Sequence, residues 1–153
     1  MKTIAELFEE NTSEKNHFVD VIAWKENFGF LVLRRANYMK NFRGMWGVVG
    51  GSIENKETVE DAAYRELKEE TGINKNQVDK LWEFAEIKHQ NGNNTEVWVA
   101  NLKDNFDTDS VKISGEHSQY KWITEIDQLS KGTWMPNLKE VLIDFTKEKM
   151  FKK

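Results

Sequence analysis

The chain has 153 residues, with 22 Lys plus Arg against 26 Asp plus Glu and a formal net charge of -4. That is one domain's worth of chain, and 39% hydrophobic with 12% aromatic residues is too apolar for intrinsic disorder. The absence of cysteine excludes a disulfide framework, a thiolate metal site and a thiol nucleophile, while the acidic balance argues against general binding to nucleic acid or anionic membranes.

Three scattered histidines (His17, His89, His117) leave little for an imidazole metal site, so any bound metal needs oxygen ligands. The amino terminus, Met1-Lys2-Thr3-Ile4-Ala5-Glu6, is acidic where a signal peptide needs an apolar core. No apolar run approaches the roughly 20 residues of a membrane-spanning helix. A cytoplasmic protein is expected. One proline, Pro136, and no Gly/Ser-rich linker or repeat imply a single domain over residues 1–153.

In chain order, Ile4 to Glu10 reads as a short helix. The apolar runs Phe18–Trp24 and Phe28–Leu33, separated by Lys25-Glu26-Asn27, predict a β-hairpin. A loop from Ala36 to Met45 leads into a short strand, Trp46–Val49, that ends in Gly50-Gly51. Residues 57–71 lack Pro and Gly and read as a helix, stopped by Gly72. Leu81–His89 and Thr95–Leu102 read as strands around Asn91-Gly92, a strong hairpin signal. An acidic loop at 104–109, a strand at 119–123 and a helix over 138–145 behind Pro136 complete an α+β pattern, with helices packed on a mixed sheet.

The chemistry is concentrated between Gly51 and Ile73. At about 100° per residue, Glu66, Glu69 and Glu70 share a roughly 100° arc with Val59, Ala62 and Ala63. Glu60, Asp61, Tyr64 and Lys68 face the other way, as a solvated face should. Like charges at helical spacing repel and raise each other's pKa, and a hard divalent cation is the natural compensation.

Gly51, Glu57, Arg65, Glu66, Leu67, Glu69, Glu70, Gly72 and Ile73 fill every fixed position of G-x5-E-x7-R-E-U-x-E-E-x-G-U, U being aliphatic. This is the Nudix box, and the chain resembles the MutT-like Nudix hydrolases from about Phe18 to Phe145. The resemblance implies an α/β/α sandwich around a mixed sheet. It implies that Glu66, Glu69, Glu70 and the carbonyl of Gly50 bind catalytic Mg²⁺, with Mn²⁺ a possible substitute. Glu57 is expected to pair with Arg65 and to brace the loop against the helix. Arg34-Arg35 resembles a family Arg pair, one of which contacts phosphate. Trp46 followed by Gly50-Gly51 matches W-x-x-P-G-G, with Val49 at the proline position. Glu116, six residues before Trp122, resembles an additional metal-binding carboxylate of the MutT branch. His117 falls where the GDP-mannose branch carries a base.

The chemistry implied is hydrolysis of a phosphoric anhydride, with Glu69 or Glu116 as the base that activates water. A (d)NTP pyrophosphohydrolase giving (d)NMP and pyrophosphate is the first expectation. ADP-ribose, NDP-sugars, dinucleoside polyphosphates and RNA 5′ ends are the alternatives. Trp134 offers a stacking face and Asn137 a donor–acceptor pair suited to a purine edge. A non-catalytic Nudix-fold binding module is disfavoured by the complete box, and an isoprenoid isomerase by the missing cysteine. Oligomeric state is not encoded in these features.

Overall fold

The computed structural model describes residues 16–150, so the helix expected at 4–10 lies outside the described residues. Among the described residues, seven strands form one mixed sheet: β1 His17–Lys25, β2 Gly29–Arg35, β3 Trp46–Gly47, β4 Val49–Ser52, β5 Val78–Lys88, β6 Asn94–Leu102 and β7 His117–Ile123. Helix α1 spans Val59–Thr71 and helix α2 spans Leu138–Phe145.

β1 is the organising strand. It runs parallel to β6 along one edge, while its other edge is shared by β2 at Trp24–Lys25 and by β4 at Phe18–Val21. β7 lies antiparallel to β2, and β5 antiparallel to β6. Strand alternation sorts the side chains of β1 between two layers. Val19, Val21 and Ala23 pack with Ala62, Ala63 and Leu67 of α1. Ile22 and Trp24 pack with Leu138, Leu142 and Phe145 of α2. The helices therefore cover opposite faces, and the α+β sandwich follows from that alternation. Phe145 is fully buried and meets the edges of Trp24, Phe30 and Phe84 at centroid distances of 5.5, 5.7 and 5.4 Å.

Two boundaries moved for physical reasons. The helix expected from residue 57 begins at Val59, because Thr58 takes the cap: its side chain accepts from the Asp61 N–H at 3.1 Å. Glu60 and Asp61 in the first turn and Lys68 in the last complement the helix dipole. Gly72 closes the helix in the left-handed region (φ 77°), donating its N–H to the Lys68 carbonyl at 3.0 Å. The single strand expected at 46–49 is two strands. Trp46–Gly47 pairs with β2 and Val49–Ser52 pairs with β1, so the chain changes partners at Val48. Val49, at the family's proline position, is a fully buried strand residue opposite Val21. Among the described residues, no helix is long and apolar enough to cross a membrane.

Candidate active site

Arg65 is the hub. Its Nε and Nη2 donate to the two carboxylate oxygens of Glu57 at 2.7 and 2.9 Å, a bidentate pair. Nη2 also donates to the Ser52 carbonyl at 3.0 Å, and Nη1 to Glu66 Oε1 at 2.8 Å and Glu69 Oε2 at 3.3 Å. Glu57 Oε1 in turn accepts the Glu54 N–H at 3.0 Å. The loop ahead of α1 is thus tied to the helix by one guanidinium. That pairing holds the Glu57 carboxyl below its usual range and raises the Arg65 pKa. Loss of such a brace typically costs about 10–100-fold in affinity or activity. Glu57→Ala is therefore expected to reduce turnover by that amount, less than the loss from Glu70→Gln. Steady-state kinetics of the two variants side by side check the ranking.

Beyond the brace, Glu66 and Glu70 are buried, at 8% and 7% exposure. The arc predicted for the three carboxylates holds for these two. Glu69 lies at its edge and its side chain is 58% exposed. Glu70 Oε1 accepts the Gly50 N–H at 3.1 Å. Gly50 pairs with Asp20 of β1, and its N–H points away from that strand. N–H and C=O of one strand residue share a direction, so the Gly50 carbonyl faces outward beside Glu70 as well. A Cβ on Gly51 would fall on the Glu66 carboxylate, and one on Gly50 would strike Asp20. The two glycines let the strand and the carboxylates approach.

Glu116 arrives from another element. Lys112 and Ser114 donate their N–H groups to the Thr71 and Glu70 carbonyls at 3.0 and 3.1 Å, seating this loop on the end of α1. Burial pushes the Glu70 carboxyl up to about 9, and the charges of Glu66, Glu116 and Asp20 add to the rise. Burial likewise raises Glu66, opposed by its Arg65 hydrogen bond. Asp20 was missed by sequence reasoning, although a lone carboxylate inside the apolar run 18–24 was the available signal. Burial lifts it to about 7.

This oxygen-rich set suits Mg²⁺ or Mn²⁺. One arginine serves three of the four box carboxylates, pairing with Glu57 and reaching Glu66 and Glu69, so among the described residues the buried Glu70 is the carboxylate whose charge a metal ion would offset. Among the described residues, no three acidic or histidine side chains converge tightly enough to enclose an ion alone. Waters and substrate phosphates are the usual remaining ligands of Mg²⁺.

The other candidates take varied places. Arg34 Nε donates to the Gly44 carbonyl at 3.1 Å and Arg35 Nε to the Asn41 carbonyl at 2.9 Å, so both strap the 36–45 loop. Trp134 is 8% exposed, bridges Trp46 in strand-like pairing and gives its indole N–H to the Lys131 carbonyl at 3.1 Å. Its ring offers a base little open face. Asn137 is exposed, sits at φ 65° ahead of α2, and its side chain makes no capping bond. His117 is partly buried with Nδ1 unpartnered, and burial lowers its pKa.

A NUDIX domain model matches residues 16–145, most of the chain. The chain belongs to the Nudix hydrolase family. It is 46% identical over 55 residues to an ADP-ribose pyrophosphatase from Methanocaldococcus jannaschii, covering 36% of this chain and 31% of that protein. The chain thus spans about a third of that relative's length. It is 29% identical over 107 residues to the nucleoside triphosphatase NudI from Escherichia coli, covering 64% and 74% of the two chains. In fold it is similar to a MutT protein from Methanosarcina mazei Go1, with TM-score 0.64 and 24% identity over 88% of this chain and 96% of that one.

Proposed function

We propose that the chain is a Mg²⁺-dependent pyrophosphohydrolase of nucleoside 5′-triphosphates, releasing the nucleoside monophosphate and pyrophosphate. The observation that carries this reading is the pair of buried α1 carboxylates, Glu66 and Glu70, set against the two-glycine strand with Glu69 and Glu116 at the rim. Glu66, Glu69, Glu70, Glu116 and the Gly50 carbonyl would hold the metal. When bound, Mg²⁺ neutralises the polyphosphate, polarises the P–O bond and lowers the pKa of water. A carboxylate oxygen of Glu69 or Glu116 accepts the proton of the attacking water, both side chains being exposed enough to reach it. Arg65 and Glu57 keep the helix and its loop in register, and Arg34 and Arg35 set the neighbouring loop against which phosphate is held.

The triphosphate assignment draws on the similarity to a nucleoside triphosphatase over two thirds of the chain. ADP-ribose is the second reading, favoured by the 46% identical stretch. A chromatographic screen of the products formed from nucleoside triphosphates, ADP-ribose, NDP-sugars, dinucleoside polyphosphates and capped RNA, with Mg²⁺, Mn²⁺ or EDTA, separates them: triphosphates give pyrophosphate and a monophosphate, whereas ADP-ribose gives AMP and ribose 5-phosphate. Absence of metal-dependent release from every triphosphate would overturn the first reading.

Asn137 has a free amide on an exposed left-handed residue, which suits a purine edge. Asn137→Gly keeps the backbone conformation and removes the amide. It is expected to raise KM for purine nucleotides about tenfold, with pyrimidine nucleotides little affected, one lost base contact being worth roughly 1–3 kcal/mol. Equal loss for both base classes would assign Asn137 to the scaffold.

A further inference from the structure

Among the described residues three large apolar side chains are exposed: Phe28, Tyr38 and Phe42. Phe28 meets Trp122 edge-on at 5.6 Å. The other two share the 36–45 loop, and scattered exposed rings would need no explanation by themselves. This loop differs in how firmly it is held. Arg34 and Arg35 grip its Gly44 and Asn41 carbonyls, and the Gly44 N–H returns to the Arg35 carbonyl at 2.9 Å. Phe42 is kept at φ 55°, in the left-handed region that a bulky residue rarely occupies, and its carbonyl accepts the Met45 N–H at 3.1 Å. Strain over-determined by its surroundings concentrates at functional sites.

The loop also abuts the rim of the carboxylate cluster. The Ala36 N–H donates to the Glu116 carbonyl at 2.9 Å. The Tyr38 hydroxyl lies 3.4 Å from where a Cβ of Gly115 would stand, one residue before Glu116. Tyr38 nevertheless remains 74% exposed, so its hydroxyl lies near the Gly115 backbone while its ring is open to solvent. Lys40 and Arg43 on the same loop add positive charge beside it.

We propose that Tyr38 is the nucleobase-stacking residue of the site, presented next to Glu116 by a loop that Arg34 and Arg35 hold in place. This rests on the nucleotide-hydrolase reading above and deepens it, since the buried Trp134 leaves base stacking to another ring. An aromatic face tolerates any base, so Tyr38 supplies affinity for nucleotides over bare polyphosphate, and Asn137 is left to discriminate among bases.

The test is equilibrium binding, by calorimetry in Mg²⁺, of the α,β-methylene analogues of ATP and GTP and of inorganic tripolyphosphate. Tyr38→Ala is expected to weaken both nucleotide analogues about tenfold and to leave tripolyphosphate unchanged, with Tyr38→Phe within about twofold of wild type. Thermal melting of each variant confirms folding, which an exposed ring should not affect. Unchanged nucleotide affinity in Tyr38→Ala, equal weakening of tripolyphosphate, or failure of the wild type to bind either analogue would overturn the assignment. A wild type that binds the analogues through Tyr38 yet hydrolyses no triphosphate would support Tyr38 and refute the proposed reaction.

Discussion

Replacing Glu70 by Gln is expected to lower kcat roughly 10³-fold or more, with the fold intact. Glu70 combines burial, contact with Gly50 and proximity to Glu66, Asp20 and Glu116, so its charge is the most costly in the site. A carboxylate kept at such a cost is explained by a cation that needs it. Charge stabilisation by a bound metal is worth several kcal/mol in the transition state, and about 4 kcal/mol corresponds to the stated loss. The amide of Gln retains a carbonyl oxygen that can accept the Gly50 N–H. In the metal-free protein burial raises Glu70 to about 9, so near neutral pH the carboxyl is already uncharged and the neutral Gln amide replaces it at little cost, and stability should hold. Rate measurements, Mn²⁺ titration followed by electron paramagnetic resonance, and circular dichroism decide the matter together. Turnover near wild type, or normal Mn²⁺ affinity in the variant, would remove Glu70 from the metal site.

The residues of α1 were legible because a helix imposes one period and the box sits on it. The capped start and the Gly72 stop are local, and the inward placement of Glu66 and Glu70 follows from 3.6-residue geometry. Family membership was equally legible, since the box specifies residues at fixed spacings within one short segment. Long-range features were not. Nothing local indicates that the chain leaves β2 after β3 and joins β1 as β4, changing partners at Val48, because strand partners are chosen by the whole sheet. Asp20 reads as a strand residue until the register sets it opposite Gly50. Trp134 and Tyr38 show the limit most clearly. One aromatic beside a helix and one in a polar loop carry no sequence mark of burial, yet they are 8% and 74% exposed. Exposure is a property of what packs above a ring, and that comes from elements distant in sequence.

In the metal-free protein, stability is expected to fall as pH rises from 7 to 9, and Mg²⁺ should reverse the loss. Unfolded Glu has a pKa near 4.3, whereas folded Glu70 is held at about 9 by burial and by Glu66, Glu116 and Asp20. Between those values the folded state binds the additional proton, so the slope of stability with pH is negative. The contribution is complete below the unfolded pKa and is lost as pH passes through the folded one. Asp20, raised to about 7, acts in the same direction over the lower part of the window. Two groups act oppositely but outside it. Glu57, lowered by Arg65, matters in acid. His117, lowered by burial, is neutral in both states above its ordinary pKa of 6.5. The loss from pH 7 to 9 should be about 2 kcal/mol, or roughly 4–8 °C in Tm for a domain of this size. Thermal melts in EDTA measure it, and Mg²⁺ at pH 9 should raise Tm by favouring the ionised carboxylates. Glu70→Gln should flatten the EDTA profile, because the group that titrates is gone. A flat or rising profile for the wild type in EDTA would mean that Glu70 is ionised in the metal-free fold. The carboxylate cluster would then already be compensated without a cation.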